Sequence, residues 1–314
     1  MSSRRPLGTT RRDLLPDLPR TAVALTASGD GPELRRTLSV LRDRTAAVGA
    51  ELLLVLDRWS DDPGASAHDA LEAMVDLVVL EPGGDRGAAV NAAARATSAE
   101  VLVLTRIGAD PSQAWLRELV APFRRAPHLT CVGGPVEPVF TGGVVPRWYR
   151  RLGAHRLELD PSPVHRLPEG AREYVASESF APGPLPSAAN VAWRRDWLLE
   201  SPFERNLAPM DSPAADIHAA LRAREGGHRI AHAPNAVMHL EVPVAKITEE
   251  AVERELRARA TGMAAALRGL GQAAPAAGES SWADPWLRLA PRSVRIGRRL
   301  ARVHAEASQA ASVN

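Results

Sequence analysis

Short apolar runs rich in Val and Leu recur through the first part of the chain, at positions 21–26, 51–56, 77–80, 101–105 and 130–136. Between them apolar residues return every three or four positions. Uninterrupted runs of that length suit strands buried on both faces of a parallel sheet, and the intervening spacing is that of amphipathic helices. The stretch 33–41 places Leu34, Leu38 and Leu41 on one helical face, while 67–75 and 86–96 are Ala-rich with similar stripes. Strand, loop and helix therefore alternate, which predicts an α/β domain whose mainly parallel sheet carries helices on both faces.

From position 135 the pattern changes. Pro, Gly and Arg become frequent through 186 and no period survives, which predicts a long excursion over the sheet, of the kind that is usually functional or mobile. Order returns at 188–199, then in a helix over 214–224 stopped by Gly226 and Gly227, then in a short strand over 229–233. Residues 247–270 pattern as a helix, 272–281 as an Ala, Pro and Gly linker, and an Arg-rich helix comes last. The predicted organisation is a basic arm over 1–20, one domain over 21–245 divided near 136, and C-terminal helices over 246–314. No repeat of the solenoid or propeller kind is present.

Composition narrows the class. With 314 residues, 45% hydrophobic and 24% charged, wholesale disorder and a fibrous architecture are excluded. No apolar run approaches the roughly 18–20 residues of a membrane-spanning helix. A single cysteine, Cys131, rules out a disulfide framework and suits a reducing cytoplasm. The net charge is only +2, with the arginine excess at the two ends, so nucleic-acid binding is not indicated. The N-terminal arm has five arginines but no apolar block of a secretory signal, and reads as a solvated tail. Six arginines and no acid lie between Trp286 and Val303, with Ile296, Leu300 and Val303 on one face. That helix suits either peripheral contact with an anionic membrane or docking on its own domain.

Three places carry candidate chemistry. The second strand runs into Asp57-Arg58-Trp59-Ser60-Asp61-Asp62, and in an open parallel sheet ligands sit at the carboxyl ends of the strands. Asp57 there could accept hydrogen bonds from a base or ribose, or form an Asx turn. The run Gly83-Gly84-Asp85-Arg86-Gly87-Ala88-Ala89-Val90-Asn91 opens a helix after the third strand. Its small residues allow close approach of a diphosphate to the helix N–H groups, or simply a tight connection. The third place comprises Asn190-Val191-Ala192-Trp193-Arg194-Arg195, Ala215-Asp216 on a helix, and Pro234-Asn235-Ala236-Val237-Met238-His239. A helical carboxylate such as Asp216 can serve as general base for an acceptor hydroxyl, or be an ordinary surface residue.

The order of these motifs, over about residues 21–245, resembles glycosyltransferase family 2. Asp57 to Asp62 is similar to the family's Asp-Asp-x-Ser-x-Asp turn, with Arg58 in place of the second acid. Gly87 to Asn91 looks like its G-x-x-x-R-N helix start, with Val90 for the arginine. Asn190 to Arg195 resembles N-M-A-F-R-R, Ala215-Asp216 with Leu221-Arg222 resembles the E-D-x-x-L-x-x-R-L helix that carries the catalytic base, and 233–239 resembles A-P-D-A-V-x-x-H. The resemblance implies a GT-A fold, with a nucleotide-binding half over 21–136 and an acceptor-side half over 137–245. It also implies inverting transfer from a nucleotide-diphosphate sugar to an acceptor hydroxyl. Asp216 becomes the implied base, and Asp57, Ser60, Gly87, Asn91, Arg106, Asn190 and Arg194 the implied donor contacts.

One departure stands out. Where the family places Asp-x-Asp to hold a divalent cation, this chain reads Arg106-Ile107-Gly108. Mg²⁺ and Mn²⁺ take oxygen ligands, which neither side chain offers. Three accounts stay open: Arg106 itself neutralises the diphosphate; Asp110 and His239 hold the cation; or the chain binds a sugar nucleotide or partner enzyme without turnover. A dinucleotide oxidoreductase, prompted by Gly29-Asp30-Gly31, lacks its third glycine because Leu34 stands there. A nucleotidylyltransferase would need a lysine-bearing first loop, and Lys246 is the sole lysine.

Overall fold

The first strand, β1 (Thr21–Ala27), is buried along its whole length, because parallel neighbours flank it and helices cover both its faces. β2 (Glu51–Leu56) and β4 (Val101–Arg106) pair with it on either side, and β3 (Leu77–Leu80) extends the sheet beyond β2. The computed structural model describes residues 18–28, 31–57, 69, 71–152, 172–174, 186, 188–207, 214–248 and 250–251. On the other side β9 (Val191–Arg194) runs antiparallel between β4 and β6 (Leu129–Gly133), followed by β10 (Arg229–His232) and an antiparallel edge strand β8 (Arg172–Tyr174). Among the described residues the sheet thus has eight strands in the order β3-β2-β1-β4-β9-β6-β10-β8.

Alternation along β1 sends its side chains into two apolar layers. Val23, Leu25 and Ala27 pack with residues of α1 (Pro32–Val48) and α3 (Trp115–Arg125). Ala22 and Ala24 face α2 (Arg86–Ala96), α5 (Arg195–Glu200) and α6 (Ala214–Glu225). The Ala-rich sequence of α2 lets it sit close to the sheet. Its Ala89, Val90, Ala93 and Ala94 are fully buried. The α1 stripe is longer than the spacing predicted and ends at Gly49, whose φ of 68° is the left-handed conformation that glycine adopts at little cost.

A second, three-stranded sheet has β11 (Met238–Pro243) between β5 (Ala109–Pro111) and β7 (Val136–Thr141). This corrects two expectations. The run 130–136 is not one strand: it breaks at Gly134-Pro135, where a Cβ on Gly134 would collide with the Ala236 carbonyl and proline has no N–H to pair. The stretch from 135 is also not wholly irregular, since β7 and α4 (Arg147–Leu152) lie within it. Of the predicted 67–75 helix, residues 69 and 71–72 are helical and 73–74 form a turn; nearly all of the helix over 247–270, the linker and the Arg-rich tail fall outside the described residues.

Candidate functional site

The carboxyl ends of β1, β2 and β4 lie side by side, with Ala27 opposite Leu56 and Thr26 opposite Arg106. Asp57 follows β2 directly. Its Oδ1 accepts the N–H groups of Gly83 at 2.7 Å and Gly84 at 2.6 Å. Both glycines have positive φ, 119° and 62°, so the turn leading into α2 needs them and Asp57 holds it in place.

Two residues further on, Arg86 reaches across the strand tips. It is 2% exposed, as is Asp216. Nε donates to Asp216 Oδ2 and Nη2 to Asp216 Oδ1, each at 3.0 Å, a bidentate fork. Nη2 also donates to the Ala188 carbonyl at 3.0 Å, and Nη1 to the Thr26 hydroxyl. Asp57, the glycine turn, Arg86 and Asp216 therefore form one connected network at one edge of the sheet. Asp216 is walled in at the start of α6. Its charge is felt at the buried Cys131 of β6, whose thiol is pushed well above its ordinary range by burial first and by the Asp216 carboxylate second. Sequence reasoning passed over Arg86. The signal was present: a cation at the first position of a helix opposes the helix dipole, so some other partner has to account for it.

Several implied donor contacts turn out to be engaged by the chain itself. The Asp85 carboxylate caps α2 through Gly87 N–H at 3.1 Å and Ala88 N–H at 3.2 Å, and also accepts Asn206 N–H at 3.0 Å. Segment 201–207 crosses this helix start. A Cβ on Gly87 would run into the Glu204 carbonyl group, so the glycine serves the approach of that segment. Asn91 clasps the same segment, donating to Phe203 O and accepting Phe203 N–H, both at 2.8 Å. Arg222 of α6 holds its beginning, with Nη2 donating to Ser201 O at 2.6 Å and Pro202 O at 2.7 Å. The Gly87 and Ala88 N–H groups expected to meet a diphosphate here are already satisfied.

Asn190 is likewise internal. It is fully buried, its Oδ1 accepts Trp115 Nε1–H at 2.7 Å, and its Nδ2 donates to Pro135 O at 2.9 Å and Ala236 O at 2.7 Å. Arg194 pairs with Val101 at the amino end of β4, the edge opposite the network. It donates to Leu129 O and Phe123 O and lies over the Phe123 ring at 5.2 Å, so it braces α3 against β6. Ser60 lies outside the described residues.

Arg106, partly exposed, ends β4 beside Thr26. The turn after it needs Gly108, with φ 86°, whose N–H donates to Thr37 Oγ1 at 3.0 Å and whose carbonyl accepts Glu241 N–H at 2.9 Å. Asp110 and His239 are cross-strand partners, and the next residue in that row is Glu137, whose Oε2 is 3.7 Å from His239 Nε2. Among the described residues no three His, Cys, Asp or Glu side chains come together so as to hold a metal ion. With a guanidinium at 106 and no side chain at 108, the donor set does not fit a cation at the family's usual position.

No protein-family model matches the sequence, and no curated protein matches it. The sheet order and the helices on both faces match those of solved structures with the GT-A fold. Among solved structures, the chain is similar to the mannosyltransferase PcManGT from Pyrobaculum calidifontis in complex with GDP-Man and Mn²⁺, at 17% identity and a TM-score of 0.53, covering 94% of this chain and 76% of that one. It is also similar to glucosyl-3-phosphoglycerate synthase from Mycobacterium tuberculosis in complex with Mn²⁺, UDP-glucose and phosphoglyceric acid. There the identity is 19% and the TM-score 0.52, covering 86% of each chain. A third likeness, to a mycobacterial protein, has 18% identity and a TM-score of 0.52, covering 85% of this chain and 80% of that one.

Proposed function

We propose that the chain transfers a sugar from a nucleoside-diphosphate donor to an acceptor hydroxyl with inversion at the anomeric carbon. The observation that carries this reading is the Asp57, Gly83-Gly84, Arg86 and Asp216 network at the strand tips of a GT-A fold. Solved structures of the same fold that hold GDP-mannose or UDP-glucose support the donor class. Asp57 has Oδ1 engaged by the turn, and its other oxygen is the one to meet a ribose or base. Arg106 meets the diphosphate. In a single displacement the acceptor oxygen bonds to the anomeric carbon, the bond to the diphosphate oxygen breaks, and Asp216 takes the hydroxyl proton. Those two solved structures hold Mn²⁺; in this chain residues 106 and 108 offer a cation no oxygen side chain, and Arg106 supplies positive charge to the diphosphate in its stead.

A second reading, binding without turnover, is favoured by the burial of Asp216 with both oxygens on Arg86. The deciding experiment presents UDP-, GDP- and TDP-sugars with Mn²⁺ or EDTA to the wild type and Asp216→Asn, measuring donor binding and nucleoside diphosphate release. Turnover that falls roughly 100-fold or more in Asp216→Asn supports the transferase. Donor binding with no turnover under any condition establishes the second reading instead.

A further inference from the structure

We infer that Arg86 is the positioning residue of the transfer step, fixing the plane and direction of the Asp216 carboxylate; this rests on Asp216 being the base. A carboxylate has about four lone-pair directions, and a guanidinium fork occupies one on each oxygen, leaving the others in a defined orientation for an incoming hydroxyl. The fork is itself held at two further points, the Thr26 hydroxyl at the tip of β1 and the Ala188 carbonyl. It therefore ties the base to the nucleotide-side strands and cannot swing with α6 alone. Among the described residues, Arg86 from α2 and Cys131 from β6, whose thiol stays protonated, are the titratable and charged groups facing Asp216.

Stability alone is a poor account of this pair. A buried ion pair is often no more stabilising than apolar residues of the same volume, and the cation sits at the helix end where the dipole disfavours it. A fixed carboxylate direction does explain an arginine here. Lysine would keep the charge and lose the fork.

The test uses the full chain with UDP-glucose and GDP-mannose as donors and Mn²⁺ present, following nucleoside diphosphate release for wild type, Arg86→Lys, Arg86→Met and Asp216→Asn. Thermal unfolding accompanies each, and Arg86→Lys decides if Arg86→Met does not fold. For Arg86→Lys the expected result is a cooperative fold, a donor KM within about two-fold of wild type and a kcat lower by about 100-fold, as for a misplaced catalytic group. Expressed per folded molecule, kcat falls while KM holds, a split that a fall in folded fraction would not produce. Wild-type kcat in Arg86→Lys, with Asp216→Asn inactive, overturns the positioning role and leaves the proposed function standing. No turnover by wild type, or full turnover by Asp216→Asn, overturns the base and this inference with it.

Discussion

Replacing Asn190 by alanine removes a fully buried amide that makes three hydrogen bonds at the junction of the two sheets. The Trp115 indole N–H, itself fully buried, loses its acceptor, at about 1–3 kcal/mol for an orphaned buried donor. The two carbonyls lose less. Pro135 O still accepts Met238 N–H at 3.0 Å, so about 1 kcal/mol for each is a fair figure. The sum is about 3–5 kcal/mol, at the upper end of what single substitutions cost. Urea unfolding followed by tryptophan fluorescence reads this as a lower midpoint at unchanged slope. Binding of UDP and GDP to the folded variant stays as in wild type, because the side chain is fully buried and engaged by the chain itself. A midpoint within about 0.5 kcal/mol of wild type, together with loss of nucleotide binding, would refute the argument and return Asn190 to the donor site. Asn190→Asp keeps the acceptor for Trp115 but turns an oxygen toward two carbonyls, and should be no milder.

Two further outcomes follow from close packing and from buried imidazoles. Gly87→Ala drives a methyl into the backbone of segment 201–207, and destabilisation of about 1–3 kcal/mol is expected in the same unfolding assay. His218 is held below its ordinary range by burial first and the Arg222 charge second, partly opposed by Glu204, and His232 is lowered by burial. A lowered histidine is neutral in the fold while the unfolded chain takes up the proton near its usual value of about 6.5. Stability is therefore complete above that pH and is lost as pH falls below it. The melting temperature should drop between neutral pH and mildly acid pH, and His218→Gln should flatten the drop. An unchanged slope in His218→Gln would remove His218 from this account.

The parallel half was legible because β1, β2, β3 and β4 are continuous apolar runs and α1 and α2 carry stripes at helical spacing. The strand β11 shows the other case. Met238, Leu240 and Val242 alternate with His239, Glu241 and Pro243, buried against partly buried, which is the period of a strand, but in the sequence the segment reads first as the end of a motif. At the site, the convergence of Asp57 and Asp216 on one edge follows from strand and helix order. What the order does not convey is occupancy. Whether a helix start or an amide meets a ligand or another part of the chain depends on a contact 112 positions away, as with Asn91 and Phe203. Arg86 escaped for the same reason, since its partner is 130 positions distant.

The turn at Gly108 bears on what the site could be engineered to hold. Its backbone sits at φ 86°, and a Cβ there would lie 3.3 Å from the Glu241 carbonyl oxygen. An aspartate introduced at that position meets steric strain and faces an oxygen with its own. Installing a paired-carboxylate clamp at 106 and 108 would thus strain the β4–β5 connection as well as change two side chains.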